Sequence, residues 1–284
     1  MAMFDTVGLY YNPRAALAYP LAEEIAAWLD AREIASWICS THELPDTEAH
    51  FEKTGLLIAL GGDGTILRAM PLIASFGIPI LGINLGRVGF LTEADPDCWA
   101  DCLSQIIAGE GAYEERTLLD VVLIREGEVI ATDQALNDAV ISRGGLGRTI
   151  HLRAYINEVP VAYYVADGLI LATATGSTAY AYAVGGPILP PWLDNLLLVP
   201  VAPHLSVDRP MVLDPNAVVE VHVLETRVPG MLTVDGRPEG ELFDDDRIRI
   251  TRSQLKAHFL RLRSPDDFYR TLVKRLIPHN GDLT

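Results

Sequence analysis

The 284-residue chain has few cysteines, little positive charge and no long apolar run. Each shortage closes off a class of protein. Cys39, Cys98 and Cys102 are an odd number with no Cys-x-x-Cys spacing. They argue against a disulfide framework and fit a reducing compartment. Cys98 and Cys102 stand one helical turn apart with no further Cys or His beside them, so they read as thiols of core or surface, not as a metal site. No uninterrupted apolar stretch approaches the ~20 residues of a membrane helix. The opening MAMFDTVGLYYN has no basic region followed by an apolar one, so no secretory leader is read there. The expectation is a cytoplasmic protein with no membrane partner. Against 38 Asp+Glu stand only 22 Lys+Arg, a net charge of −16. A basic face for nucleic acid would have to be built against that field, so no nucleic-acid partner is expected. An anionic small ligand would depend on backbone N–H groups, a few arginines and a divalent cation. Internal repeats and low-complexity linkers are also missing.

What is present is a 49% hydrophobic chain whose texture changes partway along. Up to about residue 112, strand-like runs (TVGLYYN, SWIC, GLLIALG, IPILGIN) alternate with helix-like ones. The helical stretches are RAALAYPLAEEIAAWLDARE with an internal Pro20, TILRAMPLIASFG with Pro71, and PDCWADCLSQIIAG with Pro96 read in its first turn. Such alternation predicts a mostly parallel sheet covered by helices. From Arg116 short strand patterns follow one another. TLLDVVLIREGEVIATDQALNDAVISRG reads as two strands about a Glu-Gly turn, and LLLVPVAPH, AVVEVHVL, GMLTVDG and RIRITRS continue the series. That spacing predicts an all-β, sandwich-like domain over 113–263, interrupted by one helix opening at TGSTAYAYAVGG. The tail SPDDFYRTLVKRLIP reads as a helix capped by Ser264, with Pro265, Asp266 and Asp267 at its start, returning to the first domain. The domains expected are therefore 1–112 with about 264–284, and 113–263.

Four stretches carry polar chemistry. In LLIALGGDGTILRAM an apolar strand ends in Gly61, Gly62, Asp63, Gly64 and Thr65 before a helix. A glycine turn between strand and helix offers N–H groups and a helix dipole to phosphate, and a carboxylate in that turn is repelled by the same phosphate. Asp63 makes sense there if it holds a cation or accepts a proton from an attacking hydroxyl. LGINLGRVGFLTE is a second strand ending in a glycine-rich loop, and in an open α/β sheet both loops can share a cleft. Phe90 in it either stacks on a base or anchors the loop. In ALNDAVISRG, Asn137 and Asp138 offer donors and acceptors suited to ribose hydroxyls, or equally to a turn. ADGLILATATGSTAYAYAVGGP collects hydroxyls and N–H groups at a helix start, a polar, anion-friendly site or an ordinary N-cap. His204, between Pro203 and Leu205, reads as structural.

The order of these pieces, GGDGT, GINLGRVGFLTE, ND, DGLILATATGSTAYAYAVGGPI, APHLSVDRP and VDGRP, resembles the NAD kinase family from about residue 55 to 238, with an echo at FYRTLVKRL. GGDGT alone also occurs in diacylglycerol, sphingosine and phosphofructo kinases; the TGSTAY block and its spacing separate the NAD kinases. The resemblance implies a Rossmann-like parallel α/β domain carrying GGDGT, followed by a β-rich NAD-binding domain. It implies transfer of the terminal phosphoryl group of ATP, or of polyphosphate, to the 2′-hydroxyl of the adenosine ribose of NAD, with Mg²⁺ or another divalent cation, in a homodimer or homotetramer. Carried onto this sequence, it makes Asp63 the proton acceptor and sets Gly64 against the dinucleotide. Arg68 falls where a side chain can reach phosphate, and Phe90 in the adenine pocket. Asn137 and Asp138 match the ribose-holding pair, Arg148 and Asp167 further NAD contacts, and Thr178, Ala179, Tyr180 and Ala183 the block around the nucleotide. Arg237 matches a variable polar position. The chain departs from the pattern at Ala174 (commonly Pro), at Ala183 (often Ser) and at Asp138 (commonly Glu). Two alternatives remain at this point: another GGDGT kinase acting on a diacylglycerol or sugar, and a non-catalytic NAD-binding regulator.

Overall fold

The computed structural model describes residues 4–43, 48–86, 89–145, 148–204 and 208–276. The chain falls into two compact units, residues 1–115 with 258–284, and residues 116–257. The first begins with β1 (Thr6–Tyr11), α1 (Ala18–Asp30), β2 (Ala35–Ser40), α2 (Glu48–Glu52), β3 (Leu56–Gly61), α3 (Asp63–Ile73), β4 (Ile80–Asn84) and α4 (Trp99–Ile107). The strands lie parallel in the order β2-β1-β3-β4. β3, with a neighbour on each edge, is buried at all six positions, as its unbroken apolar run requires. α1 buries Ala18, Leu21, Ala22, Ile25 and Leu29, the single stripe that 3.6-residue periodicity gives. α3 carries Pro71 near its C-terminal end and continues through it to Ile73. Pro96 is not in a first helical turn: α4 starts at Trp99 behind the N-cap Cys98, and turns occupy the residues between.

The second unit is antiparallel. β5 (Ala112–Arg125) leads into it, followed by β6 (Glu128–Ala135), β7 (Asp138–Ser142), β8 (Ile150–Ile156), β9 (Val159–Ala166) and β10 (Gly168–Ala172). After the one-turn α5 (Tyr180–Ala183) come β11 (Leu196–Val201), β12 (Met211–Leu213), β13 (Val219–Glu225), β14 (Gly230–Val234), β15 (Arg237–Leu242) and β16 (Arg247–Arg261). One sheet runs β12-β11-β10-β7-β14-β15; in the other β16, β13, β8 and β9 pair in that order. Both sheets feed one core: Val121, Leu152, Tyr164 and Val221 pack with Ile141, Leu169 and Leu232. The stretch expected to hold two strands holds three, because the chain breaks at Leu136 and Asn137, whose N–H groups turn to Asp235. The single helix expected at TGSTAY is a 3-10 turn, Thr175–Thr178, then four residues of α5; Gly185 at φ 88° ends it.

β16 passes back into the first unit, where Phe259 pairs parallel with Ile80 of β4. α6 (Asp267–Leu276) follows. Ser264 N–H donates to Asp267 Oδ2 (3.1 Å) and Asp266 N–H to Ser264 Oγ (3.3 Å), a reciprocal cap that starts the helix where the sequence places its acidic turn.

Candidate active site

In the first unit, β3 stops at Gly61, Gly62 is extended, and α3 begins with Asp63 itself. Asp63 is pinned from across the neighbouring loop. Its Oδ2 accepts the N–H of Phe90 at 2.9 Å and its Oδ1 that of Leu91 at 3.0 Å. Each carboxylate oxygen keeps a second lone pair for a ligand. The carboxylate lies so close to Gly89 that a Cβ there would overlap Asp63 Oδ1. Gly89→Ala should therefore push the carboxylate out of place. A displacement of about 1 Å costs on the order of 10²-fold in turnover, read as a fall in kcat. Around Gly62 and Gly64, by contrast, there is open space where a side chain would stand. Backbone can meet a ligand closely there.

The loop that grips Asp63 is itself tied down. Arg261 Nη1 donates to Leu91 O (2.9 Å) and to Glu93 Oε2 (3.3 Å), and Arg261 Nε to Glu114 Oε2 (3.1 Å). The buried Glu93 accepts the N–H groups of Leu262 (2.8 Å) and Arg263 (2.7 Å) through Oε1. From α6, the guanidinium of Arg275 lies 4.7 Å over the Phe90 ring and 3.9 Å from Asp63 Oδ2, and Phe268 stands 6.1 Å from Phe90. Arg68 is exposed one turn along α3. Arg87 and Val88 of this loop lie outside the described residues, as do 205–207 of APHLSVDRP.

The second unit carries a separate polar cluster. Asp235, at φ 48° in the Asp-Gly turn between β14 and β15, accepts the N–H groups of Leu136 (2.8 Å), Asn137 (2.8 Å) and Asp138 (3.1 Å). Thr173 Oγ1 donates to Leu136 O (2.6 Å) and accepts the N–H of Gly176 (3.1 Å). Gly176 packs so tightly on Asn137 O that no side chain fits. Asn137, Asp138 and the start of the TGSTAY turn are thus one assembly. Asp138 is 5% exposed. Burial, and then the charge of Asp235, push its carboxyl up to about 7. Asp235 is raised by burial against its three N–H donors. With those donors it is the better place for the charge of the pair, and Asp138 the better place for the proton.

Asp167 and Tyr180 line a cavity of about 340 Å³ with Arg143, Ser142 and Gly168. Arg143 forks onto Asp167, Nε to Oδ1 at 2.7 Å and Nη2 to Oδ2 at 3.3 Å. Thr178 Oγ1 donates to Thr175 O (3.2 Å), and Ala179 and Ala183 flank the exposed Tyr180. Arg148 lies elsewhere, in a cavity of about 300 Å³ with Thr149, His151, Glu225 and Arg227. Arg237 is engaged by Asp133 (2.6 Å) and Glu239 (3.8 Å). Sequence reasoning did not single out Asp235, Arg143, Glu93, Arg261 or Arg275 as site residues. Only Asp235 had a local signal, the Asp-Gly hairpin dipeptide.

No group of three or more His, Cys, Asp or Glu side chains able to hold a metal occurs among the described residues. Mg²⁺ keeps its waters and is held largely by phosphate oxygens, with one or two carboxylates. No helix among the described residues is long and apolar enough to cross a membrane.

Solved structures share this architecture. A crystal structure of yeast NADH kinase complexed with NADH superposes with a TM-score of 0.80 at 23% identity, over 99% of this chain and 89% of that one. An NAD kinase from Archaeoglobus fulgidus in complex with ATP gives 0.75 at 25% identity, over 95% and 97%. The fold is thus one used by kinases of dinucleotides. The ATP-NAD kinase N-terminal domain model matches residues 38–111 and the ATP-NAD kinase C-terminal domain model residues 136–262. The NAD kinase of Chloroflexus aggregans is 40% identical over 96% of this chain and 99% of its own length. The chain belongs to the NAD kinase family, a family of phosphotransferases.

Proposed function

We propose that this NAD kinase phosphorylates the 2′-hydroxyl of the adenosine ribose of NAD, with ATP or polyphosphate as donor and Asp63 as general base. The observation that carries the reading is the grip on Asp63: two backbone N–H groups fix both oxygens and a glycine makes room for them. A base so fixed loses little freedom when the hydroxyl docks on its remaining lone pairs. As the 2′-oxygen bonds to the terminal phosphorus, its proton passes to Asp63 and the bridging oxygen leaves with the electron pair. A divalent cation supplies charge neutralisation on the donor phosphates. Gly64 lies with open space above it, Arg68 is read as reaching phosphate, and Phe90 as lining the adenine pocket. Asn137 and Asp138 hold the ribose; Asp167, Thr178, Ala179, Tyr180 and Ala183 line the rest of the dinucleotide site. Arg148 and Arg237 are assigned to that site by resemblance. Arg148 opens on its own cavity, which fits a role toward a neighbouring subunit's ligand.

Assembly as a homodimer or homotetramer is supported by β9, which ends its sheet and exposes Val159, Val161 and Tyr163. The cytoplasm is supported by three free cysteines. The test is NADP formation, read by an NADP-specific dehydrogenase, with NAD, Mg²⁺ and either ATP or polyphosphate, and Asp63→Asn as the paired control. Signal in the wild type that vanishes in the variant supports the reading and identifies the donor. Binding of NAD with no product from either donor would sink it.

A further inference from the structure

We propose that Arg275 of the C-terminal helix is a further catalytic residue, contacting the phosphoryl group as it transfers beside Asp63. The inference rests on the reading of Asp63 as proton acceptor. Arg275 Nη1 stands 3.9 Å from Asp63 Oδ2. That is too far for a charge-assisted hydrogen bond, which closes to about 2.7–2.9 Å. What holds the guanidinium in place is the Phe90 ring, 4.7 Å beneath it, with Phe268 packed beside that ring. A guanidinium held over a ring by its charge does not spend its N–H donors on protein oxygens and keeps them for other partners. Among the described residues no hydrogen bond from those donors to protein is found, and the side chain is 36% exposed. The arrangement is a positioned cation with its fork unspent.

The chemistry of the site supplies the partner. A hydroxyl that gives its proton to Asp63 has its oxygen within hydrogen-bond reach of that carboxylate. The phosphorus it attacks must then lie about 3–3.5 Å beyond. The three equatorial oxygens of the moving phosphoryl group therefore pass close to Asp63, a carboxylate that repels them. Arg275 is the cation paired with Asp63 among the described residues, and it is placed to bond those oxygens as charge spreads over them. In the step, the 2′-oxygen–phosphorus bond forms and the bond from that phosphorus to the bridging oxygen breaks. ADP, or the shortened polyphosphate, leaves with the electron pair, and the proton goes to Asp63. The contact is to the terminal phosphoryl alone, which ATP and polyphosphate share, so its loss should weigh on both donors alike.

The test compares Arg275→Gln, Arg275→Lys and Asp63→Asn with wild type for NADP formation from each donor that supports turnover, alongside NAD affinity and melting temperature. Arg275→Gln should lower kcat on the order of 10²–10³-fold with every such donor, with NAD affinity within about twofold. Arg275→Lys should recover part of the loss, since it restores the charge but not the fork. An Arg275→Gln variant with wild-type kcat, or with only a raised KM for donor, overturns the proposal. A raised kcat does so too, because it would make Arg275 a restraint on Asp63. If Arg275→Gln is poorly folded, Arg275→Lys decides: wild-type turnover from both donors at saturation together with an unchanged pH profile counts against the contact, and a reduced kcat supports it. If Asp63→Asn also turns over normally, it is the base assignment that has failed; if Asp63→Asn is inactive and Arg275→Gln is not, only Arg275 has.

Discussion

Asp63→Asn is expected to reduce kcat for NADP formation by about 10²–10⁴-fold, the usual worth of a positioned general base, with the KM for NAD changed no more than about threefold. The substitution is close to isosteric but not electrically neutral in its effects. The carboxylate receives two backbone N–H groups, from Phe90 and Leu91. An amide has one oxygen, so its NH₂ must face one of those donors, and one hydrogen bond to the loop is lost. That costs roughly 1–3 kcal/mol of local stability. A second readout is therefore needed to separate a missing base from a loosened loop. Gly89→Ala keeps the carboxylate and moves it, whereas Asp63→Asn keeps the position and removes the proton acceptor. A loss in Asp63→Asn at least as large as that in Gly89→Ala identifies proton transfer as the dominant contribution. A loss of less than tenfold would mean that Asp63 serves mainly to fasten the 89–91 loop.

The fold was legible where the pattern is local. The unbroken apolar run of β3 and the buried stripe of α1 name their own structures, and the shift from alternating strand and helix to short strands alone marks two kinds of architecture. What was not legible depends on partners distant in sequence. The TGSTAY segment has small, hydroxyl-bearing residues suited to a helix start, yet it folds as a tight 3-10 turn because Gly176 must sit against Asn137 O. β7 reads as one strand with β6 in the sequence because nothing in TDQALNDAV announces that an aspartate about a hundred residues later takes up the N–H groups of 136–138. The site shows the same division. Asp63 stands out because a carboxylate in a phosphate-type turn is chemically odd. Arg143, Arg261 and Arg275 are ordinary arginines in the sequence and acquire meaning only from Asp167, Glu93 and Phe90.

Asp138→Asn should stabilise the protein above neutral pH and weaken its hold on NAD. Asp138 is buried beside Asp235, and its carboxyl is pushed up to about 7 from an ordinary 3.8. The folded state thus binds this proton more tightly than the unfolded chain. Its contribution to stability is fully present below about pH 4 and is lost as pH rises through about 7, where folding must bury the charge. A shift of this size corresponds to a penalty on the order of 2–4 kcal/mol at pH 8, which an uncharged asparagine removes. Melting at pH 8 should rise by several degrees in Asp138→Asn, and the gain should shrink toward zero near pH 4. Binding runs the other way. A ribose hydroxyl donates best to an ionised carboxylate, which is acceptor-only. NAD binding should therefore release a proton, and its affinity should climb between pH 6 and 8 before levelling off. Calorimetric titration in buffers of different ionisation enthalpy reads that proton directly. Asp138→Asn should bind more weakly, with no proton released and no slope across pH 6–8. Equal slopes in wild type and variant would place the titrating group elsewhere, with Glu239 the first alternative, because burial and Asp133 raise it to about 7 as well. Stability gained and affinity lost at one carboxyl would mark Asp138 as a group kept in the sandwich at a cost to folding, for the sake of the sugar it holds.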